Sequence, residues 1–525
     1  MGDIITLLPD HVANQIAAGE VVQRPASVVK ELMENAIDAG SSHVQLIIKE
    51  AGKLLIQVVD DGKGMSITDA RMAFERHATS KIKSADDLFA LNTKGFRGEA
   101  LASIAAVAHV EMLTRTEEDE VATLIKIAGS EIQEQEPCVA PKGSSIAVKN
   151  LFFNIPARRN FLKSNTVELR HIIDEFHRVA LAHPQIAFTF FQGGHELFDL
   201  PVANLRKRIV HIFGSKMDEK LVPVEESTSV SSVSGFVLKP NAAKRTRGQQ
   251  FFFVNDRFIK SPFMHYAIMN AYEGLLADGT VPGYFIFFNL DPQTIDINIH
   301  PTKTEVKFED EQSLYAILRS CIKHSLGMFN VAPTLDFDRD PNLDTPYNQL
   351  SQNAGTPQLE VDSNFNPFKN PETTRFSKPN EASWKSLYVE VESQPVPNLL
   401  EQEFSTTKAY DAIKFFQLMN RYIASSIGSA LLLIDQQRAH ERVLYEQFLI
   451  TITQKKTASQ QLLFPYSLEL DTTRQVLLSD LEEVLVEAGF VFERSSRAVI
   501  IIKGIPVSSS EKEIPNIFEN LFASL

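Results

Sequence analysis

Residues 28–40 read VVKELMENAIDAG, and apolar residues recur in them at helical spacing. This pattern predicts an α-helix over residues 28–39. Glu31, Asn35 and Asp38 fall at positions i, i+4 and i+7, so they share one face of the helix. The Asn35 oxygen is a hard ligand of the kind that Mg²⁺ prefers, and the Glu31 carboxylate can orient or deprotonate a water molecule. By itself, the pattern is more typical of a solvated helix face.

Residues 54–65 read LLIQVVDDGKGM and predict a buried strand that ends in Asp60. The turn that follows contains Gly62 and Gly64. An Asp at this point can accept a hydrogen bond from the exocyclic amine of adenine, and glycines let the backbone approach the base. An ordinary Asp-Gly hairpin turn would produce the same pattern.

Residues 76–82 (RHATSKI) and 93–105 (TKGFRGEALASIA) come next. In the second segment, Gly95 and Gly98 precede a helix that is predicted to begin near Glu99. Free N–H groups at a helix N-terminus form a phosphate cradle, although a flexible loop before a helix would look the same. The sequence contains no G-x-x-x-x-G-K-[ST] motif, which excludes a P-loop as the route to a nucleotide.

Together with residues 8–32, the order and spacing of these segments resemble the MutL branch of the ATPase superfamily shared by DNA gyrase, Hsp90 and histidine kinases. The resemblance implies ATP and Mg²⁺ as cofactors. It assigns water activation to Glu31, magnesium binding to Asn35 and adenine recognition to Asp60. It also implies nucleotide contacts from Gly62, Gly64, Thr79, Ser80, Lys81, Gly95, Phe96, Arg97 and Gly98.

Two later segments, residues 143–164 and 296–308, are similar to the same family. In the second of them, the resemblance implies that Lys303 reaches the γ-phosphate from the neighbouring domain. A lone lysine is more often simply solvated, but an ammonium near phosphate is physically sensible. The resemblance covers nearly all of residues 1–330.

The predicted fold class is α+β multidomain. The resemblance implies a Bergerat-type α/β sandwich ATPase domain at residues 1–215 and a ribosomal-S5-like transducer domain at 216–332. Residues 333–405 are rich in Asp, Asn, Pro, Ser, Thr and Gln, which predicts a disordered linker. Residues 406–525 are expected to form a small α+β C-terminal dimerisation domain. The chain stops at FENLFASL, where the family would be expected to continue, which leaves a truncated domain as one interpretation.

Length, charge and cysteine content limit the class of protein. A chain of 525 residues predicts about three or four domains. No apolar run approaches the roughly 20 residues of a membrane span. Two cysteines cannot form a disulfide framework, so we expect a cytoplasmic protein. The resemblance implies that it associates with the nucleoid when acting.

The net charge of −14 argues against indiscriminate DNA binding. Sequence-independent contacts with DNA would therefore need local basic patches. The candidates are short basic groups: residues 206–208, residues 244–247, Arg257 with Lys260, and Arg158 with Arg159.

Residues 435–446 read DQQRAHERVLYE. Asp435, Glu441 and Glu446 have the spacing of a metal-binding motif in MutL proteins that nick DNA, but Gln437 and Arg438 replace the His and Ala of that motif. An amide in place of an imidazole weakens the binding of Mn²⁺ or Zn²⁺. The later metal motifs of the family are also absent.

Asp435 and Glu441 are therefore weak candidates for metal ligands. We favour a charged amphipathic helix with Val443 and Leu444 directed inward, or a relic of the metal motif, over a working nuclease.

Residues 460–465 read QQLLFP. Gln460, Leu462, Leu463 and Phe464 are similar to the sliding-clamp-binding segment of MutL proteins and could fill a hydrophobic cleft in extended form. A strand entering a small core is an equally good interpretation.

The favoured hypothesis is a homodimeric, ATP-dependent DNA mismatch repair factor. It would act as a matchmaker between a mismatch-recognition protein and a downstream repair nuclease or helicase, with no membrane partner. The alternative is the same ATPase with its own metal-dependent endonuclease. A third class, an Hsp90-like chaperone or a topoisomerase subunit, is disfavoured by GFRGEALASI and NIHPTKTEVKF.

Overall fold

The computed structural model describes residues 10–81, 94, 98–228, 231–296, 306–329, 415–427, 430–453, 458–494, 499–507 and 509–524. The chain divides into two compact units, one of Met1–Thr334 with Gln447–Leu525 and one of Leu335–Glu446. The predicted linker, residues 333–405, lies outside the described residues.

An eight-stranded sheet organises the N-terminal residues. Its strands are β1 (His43–Lys49), β2 (Leu55–Asp60), β3 (His109–Arg115), β4 (Ala122–Ala128), β5 (Glu131–Cys138), β6 (Gly143–Lys149), β7 (Ala187–Gln192) and β8 (His195–Leu200). Their order is β5-β4-β3-β6-β2-β1-β7-β8, in which β1 and β7 are parallel and every other pair is antiparallel. In β2 the alternate residues Ile56, Val58 and Asp60 are buried. The sheet therefore turns one face toward a core.

Helices cover that face. They are α1 (Asp10–Val21), α2 (Pro25–Asp38), α3 (Ile67–Met72), α4 (Ala100–Val107), α6 (Asn165–Ala182) and α7 (Leu205–Phe213). A short helix, α5 (Pro156–Phe161), follows β6 in the chain and buries no residue. Proline in the first turn starts α2 three residues before the predicted position. Leu32 and Met33 of α2 are fully buried in the same core as the strands, whereas Glu31 and Asn35 stay part-exposed. The result is the expected two-layer α/β sandwich.

A five-stranded sheet follows, in the order β12-β11-β13-β10-β9. Its elements are β9 (Leu221–Ser227), β10 (Ser232–Leu238), β11 (Gln250–Val254), β12 (Arg257–Phe258), α8 (Pro262–Ala271), β13 (Tyr284–Asn289) and α9 (Glu311–Met328), and β14 (Ile295–Asp296) pairs separately with β15 (Lys307–Phe308). Asn255 and Asp256 form the two-residue turn between β11 and β12, with φ of 48° and 60°. Positive φ at both residues defines a tight hairpin turn that Asn and Asp tolerate.

The C-terminal residues form two antiparallel three-stranded sheets. One contains β16 (Phe415–Leu418), β17 (Tyr422–Ile427) and β18 (Ala430–Asp435), followed by α10 (Gln436–Thr453). The other has the order β19-β21-β20 and contains β19 (Ser459–Glu469), α11 (Thr472–Glu487), β20 (Val491–Arg494), β21 (Val499–Pro506) and α12 (Ile514–Ser524). Leu478, Ile502 and Phe518 lie in the core of this second group. Within the described ranges, no helix is both long and apolar enough to cross a membrane.

Candidate nucleotide-binding site

The exposed edge of α2 opens onto a cleft of about 610 Å³. Glu31 and Asn35 line it from the helix, as predicted from their spacing on one face. Other predicted nucleotide contacts in the lining are Gly64, Thr79, Ser80, Lys81 and Gly98. Residues that are distant in sequence therefore line the same cleft.

Lys81, which is one of the predicted nucleotide contacts, contributes an ammonium group to the cleft. Its ammonium donates to Oδ2 of Asp38 at 2.6 Å and to Oδ1 of Asn35 at 3.1 Å. Its backbone N–H donates to the hydroxyl of Thr79 at 3.2 Å. The side-chain oxygen of Asn35 is thus directed at a cation in the cleft.

Asp60 and Gly62 do not belong to the lining of the cleft. Asp60 is only 9% exposed, and its Oδ1 accepts a hydrogen bond from the N–H of Gly62 at 2.9 Å. Burial raises the pKa of Asp60, while hydrogen bonds from Gly62, Ser144 and Ser41 oppose that increase. A buried carboxylate of this kind can select a single donor, because water does not compete freely for it.

Asp61, which is adjacent in sequence, has a different role. Its carboxylate accepts hydrogen bonds from the backbone N–H groups of Ser42 and His43 and from the Ser42 hydroxyl. Partial burial would raise the pKa of Asp61, but these hydrogen bonds lower it overall. Asp61 therefore anchors the start of β1, and Asp60 is the carboxylate that faces the core.

Two glycines of the site are required by packing. A Cβ on Gly64 would lie 2.0 Å from the carbonyl oxygen of Arg115, and a Cβ on Gly98 would lie 2.3 Å from that of Ala78. Both glycines have positive φ, 68° and 61° respectively. No other residue fits these positions without displacing backbone.

Sequence reasoning missed several groups near the cleft. Lys63, Asp69 and Glu99 are part of the lining, and Nδ1 of His77 lies 3.3 Å from a carboxylate oxygen of Glu99 at the mouth. The sequence position of a single charged residue gives no signal of where its side chain points.

Four predicted site residues, Gly95, Phe96, Arg97 and Lys303, lie outside the described residues. The helix that follows the first three begins at Ala100, with Glu99 at its N-cap, close to the predicted start.

In two of the basic groups considered for DNA, one arginine is not available to phosphate. Arg208 is fully buried and donates to the carbonyl oxygens of Ala180, Pro184, Ile186 and Pro201. Arg257 is 7% exposed and donates to the carbonyl oxygen of Lys94 at 3.1 Å. The expectation that these arginines could form basic surface patches was wrong, because both guanidinium groups stabilise backbone inside the fold.

In the C-terminal residues, Asp435 caps α10. Its Oδ1 accepts hydrogen bonds from the N–H groups of Gln437 at 3.1 Å and Arg438 at 3.2 Å, and these contacts lower its pKa together with the charges of Arg421 and Arg438. Glu441 accepts from the Gln437 amide at 3.2 Å. In the parts of the chain that the structure covers, no group of three or more His, Cys, Asp or Glu side chains is arranged so that it could hold a metal ion.

Val443, expected to face inward on α10, is 52% exposed.

The QQLLFP segment lies in β19. The pairing of β19 with β21 is interrupted between Gln461 and Tyr466, and at this irregularity Leu463 is 86% exposed and Phe464 71% exposed. Leu462 packs against the C-terminal core, and Gln460 is exposed. The segment is thus a strand that also presents two apolar side chains.

Three family models match the chain. They are described as "Histidine kinase-, DNA gyrase B-, and HSP90-like ATPase" over residues 23–152, "DNA mismatch repair protein, C-terminal domain" over 209–327, and "MutL C terminal dimerisation domain" over 415–525. A crystal structure of the N-terminal domain of a DNA repair protein covers 61% of this chain and 99% of its own, with a TM-score of 0.54 and 21% identity, and supports the N-terminal fold. The fold and the cleft define an ATPase of the histidine kinase, DNA gyrase B and Hsp90 class.

Relatives identify the branch of that class. The chain is 58% identical to DNA mismatch repair protein MutL of Flavobacterium psychrophilum and 57% identical to that of Christiangramia forsetii, over 100% of this chain and 88% of each relative. The chain belongs to the MutL family of DNA mismatch repair proteins. Its role is in ATP-dependent mismatch repair, and its C-terminal residues form a dimerisation domain. The predicted family, fold class and ATPase activity are confirmed.

Proposed function

We propose that the chain hydrolyses Mg-ATP in the cleft beside α2 and uses this cycle as a matchmaker between mismatch recognition and downstream repair enzymes. The observation that supports this most strongly is the convergence of Glu31 and Asn35 with residues 79–81 and Gly98 on one cleft. Phosphoryl transfer requires positioning and charge stabilisation more than covalent chemistry, and these residue types supply both.

Asn35 fits the role of magnesium ligand. Its amide oxygen already accepts a hydrogen bond from the Lys81 ammonium at 3.1 Å, so it is oriented toward positive charge in the cleft. Bound Mg²⁺ would neutralise charge on the phosphates. Glu31, one turn earlier, orients the attacking water. Asp60, although outside the lining of the cleft, would accept a hydrogen bond from the adenine amine, and Lys303 would contact the γ-phosphate.

The roles of Glu31 and Asn35 can be separated by experiment. Glu31→Ala should bind a fluorescent ATP analogue normally but lose hydrolysis, and Asn35→Ala should lose both. Glu196→Ala, an exposed carboxylate on β8, is the matched control and should keep normal phosphate release. Normal turnover in Glu31→Ala would remove the role that we give to its carboxylate.

The sheet of β16, β17 and β18 provides a surface for the homodimer. Strand register places Phe416, Leu418, Leu431 and Leu433 on one face, and they are 39–64% exposed. An apolar face of this kind marks a protein interface. Leu431→Glu with Leu433→Glu should convert the dimer to a monomer in light scattering, whereas Gln417→Glu, an exposed polar position of β16, should not.

The exposed pair Leu463 and Phe464 supports a sliding clamp as a further partner, since two projecting apolar side chains can fill a hydrophobic cleft. For DNA, exposed basic residues such as Arg159, Lys207 and Lys260 remain candidates for phosphate contacts. A mismatch-recognition protein and a repair nuclease or helicase remain the proposed partners, and the cytoplasmic location stays a prediction. The endonuclease alternative, with Mn²⁺ or Zn²⁺ at Asp435 and Glu441, stays a weaker hypothesis because Asp435 is engaged as a helix cap.

A further inference from the structure

Lys94 is a buried lysine between the ATPase layer and the hairpin turn of the second sheet. The residue is only 8% exposed. The ammonium donates to the carbonyl oxygen of Asp256 at 2.6 Å and to that of Asn255 at 3.4 Å. Arg257 donates in the opposite direction, from its guanidinium to the carbonyl oxygen of Lys94 at 3.1 Å. Hydrogen bonds donated from each side therefore join Lys94 to the hairpin turn and to Arg257 beside it.

The backbone of Lys94 is joined to the cleft. Its N–H donates to Oδ1 of Asp38 at 3.1 Å, and Oδ2 of the same carboxylate pairs with Lys81 at 2.6 Å. Lys81 in turn contacts Oδ1 of Asn35. A continuous chain of polar contacts thus connects the expected magnesium ligand to the turn at Asn255 and Asp256.

The turn itself is fixed to the middle of the second sheet. The side chain of Asn255 donates to the carbonyl oxygen of Leu290 at 3.0 Å and accepts from the N–H of Leu290 at 2.9 Å. Its backbone N–H donates to Phe288, in β13, at 2.9 Å. A displacement of Lys94 would therefore be transmitted to β13 as well as to the turn.

The surroundings of Lys94 leave room for such a displacement. A cavity of about 570 Å³ borders it and is lined by Asn255, Asp256, Arg257, Ser234 and Leu290 among others. The charged groups that act on the ammonium are Asp256, Arg257, Glu34 and Asp38, and burial is the main reason that its pKa falls to about 8. Removing this ammonium would leave buried backbone carbonyl groups without a hydrogen-bond donor, which lowers the free energy of unfolding.

We propose that Lys94 is a positioning residue that couples the nucleotide cleft to the second sheet. Nucleotide binding draws Lys81 away from Asn35 and Asp38, Asp38 shifts against the N–H of Lys94, and the Lys94 ammonium moves the turn at Asn255 and Asp256. The coupling passes through a physically continuous set of contacts rather than through distance alone. This goes beyond ATP hydrolysis, since it concerns how the state of the cleft reaches the neighbouring domain.

The first test is hydrogen exchange of the full chain with Mg²⁺ and a non-hydrolysable ATP analogue. In the wild type, the analogue should change amide exchange at residues 254–259 by about threefold or more. An unchanged rate there, while the analogue is bound, would overturn the proposal without any variant.

Variants then identify Lys94 as the link. Lys94→Met keeps the length of the stem but removes the donor, so it should abolish the exchange response and lower kcat about fivefold or more while KM for ATP changes less. Lys94→Arg keeps donors and should restore part of both readouts. Lys126→Met changes an ion pair on β4 that lies outside this set of contacts, so it should behave as the wild type.

A folded Lys94→Met that keeps the full exchange response would contradict the coupling. If Lys94→Met fails to fold, Lys94→Arg becomes the deciding variant. A folded Lys94→Arg that shows no exchange response at residues 254–259 but an unaltered kcat would also contradict the coupling.

Discussion

The ammonium of Lys81 lies 2.6 Å from Oδ2 of Asp38, in an ion pair on the inner wall of the nucleotide cleft. The two side chains are 21% and 8% exposed, so water screens the pair only partly. The same ammonium contacts the oxygen of Asn35, the group that we expect to bind Mg²⁺. One lysine ammonium thus contacts both Asp38 and the side chain that we propose as the magnesium ligand.

The ion pair should contribute to stability. Lys81→Met leaves the Asp38 carboxylate without its closest cation in a part-buried position, so we expect the free energy of unfolding to fall by about 1–3 kcal/mol. Urea denaturation of the nucleotide-free protein measures this. Lys142→Met, which breaks an exposed pair with Glu117, should leave the urea midpoint unchanged, and an equal loss in both variants would contradict the argument.

Gly64 should be far less tolerant of substitution than Gly40. Both have positive φ, 68° and 75°, which costs a side chain about 1–2 kcal/mol. A Cβ on Gly64 would also lie 2.0 Å from the Arg115 carbonyl oxygen, whereas a Cβ on Gly40 meets nothing within 4 Å. Gly64→Ala should therefore lose several kcal/mol of stability and ATP binding, while Gly40→Ala loses about 1 kcal/mol. Thermal unfolding with and without nucleotide compares them, and similar losses would show that the close contact relaxes freely.

Local periodicity in the sequence predicted the elements that carry the site. The helix predicted for residues 28–39 is Pro25–Asp38, and the strand predicted to end at Asp60 does end there. Apolar patterns with a period of 3.6 or 2 residues indicate which side of a single helix or strand is buried. For these elements, that burial determines the secondary structure.

Long-range contacts were not accessible in the same way. The links from Lys94 to Asp38 and to the turn at Asp256 join residues separated by 56 and 162 positions. Arg208 and Arg257 stand in basic or polar segments but bind carbonyl groups inside the fold. Composition marks a residue as charged, but only the packing of distant segments determines whether it reaches solvent or a buried acceptor.

Two buried histidines should make the N-terminal unit sensitive to acid. Burial lowers the pKa of His177 to about 3, with a small contribution from Arg178, and burial with the charge of Lys94 lowers that of His183 to about 3. Since the unfolded chain binds these protons near pH 6.5, unfolding takes up protons between pH 6.5 and 3, and stability falls as pH falls through that window. Each histidine should remove about 2 kcal/mol by pH 5.

The contribution of His177 can be isolated. Its ring packs among Phe176, Phe198 and Phe213, so His177→Phe should keep the packing and reduce the loss of stability between pH 7 and 5. His195→Phe alters an exposed ring on β8 and should retain the wild-type pH dependence. Urea midpoints across this range decide the matter, and an unchanged slope in His177→Phe would mean that the imidazole is protonated in the folded protein.

Leu463 and Phe464 should matter for binding rather than for folding. Because they are 86% and 71% exposed, the double substitution to Ala should change the free energy of unfolding by no more than about 0.5 kcal/mol. The same variant should lose binding to a bacterial sliding clamp in surface plasmon resonance. The control is Val486→Ala on α11, which alters an exposed apolar residue outside the segment. Equal binding by both variants would assign the clamp contact elsewhere.

Nicking of supercoiled plasmid with Mn²⁺ and ATP tests whether the C-terminal residues hold a nuclease. We expect no nicking by the wild type or by Asp435→Asn. The Asp435 carboxylate caps α10, and the Glu441 carboxylate accepts a hydrogen bond from the Gln437 amide, so both are already engaged. Asn is as good a helix cap as Asp, so the variant removes the charge without removing the cap. Nicking that is present in the wild type and absent in Asp435→Asn would show that this carboxylate binds a metal ion, and strand incision would then belong to this protein rather than to a recruited enzyme.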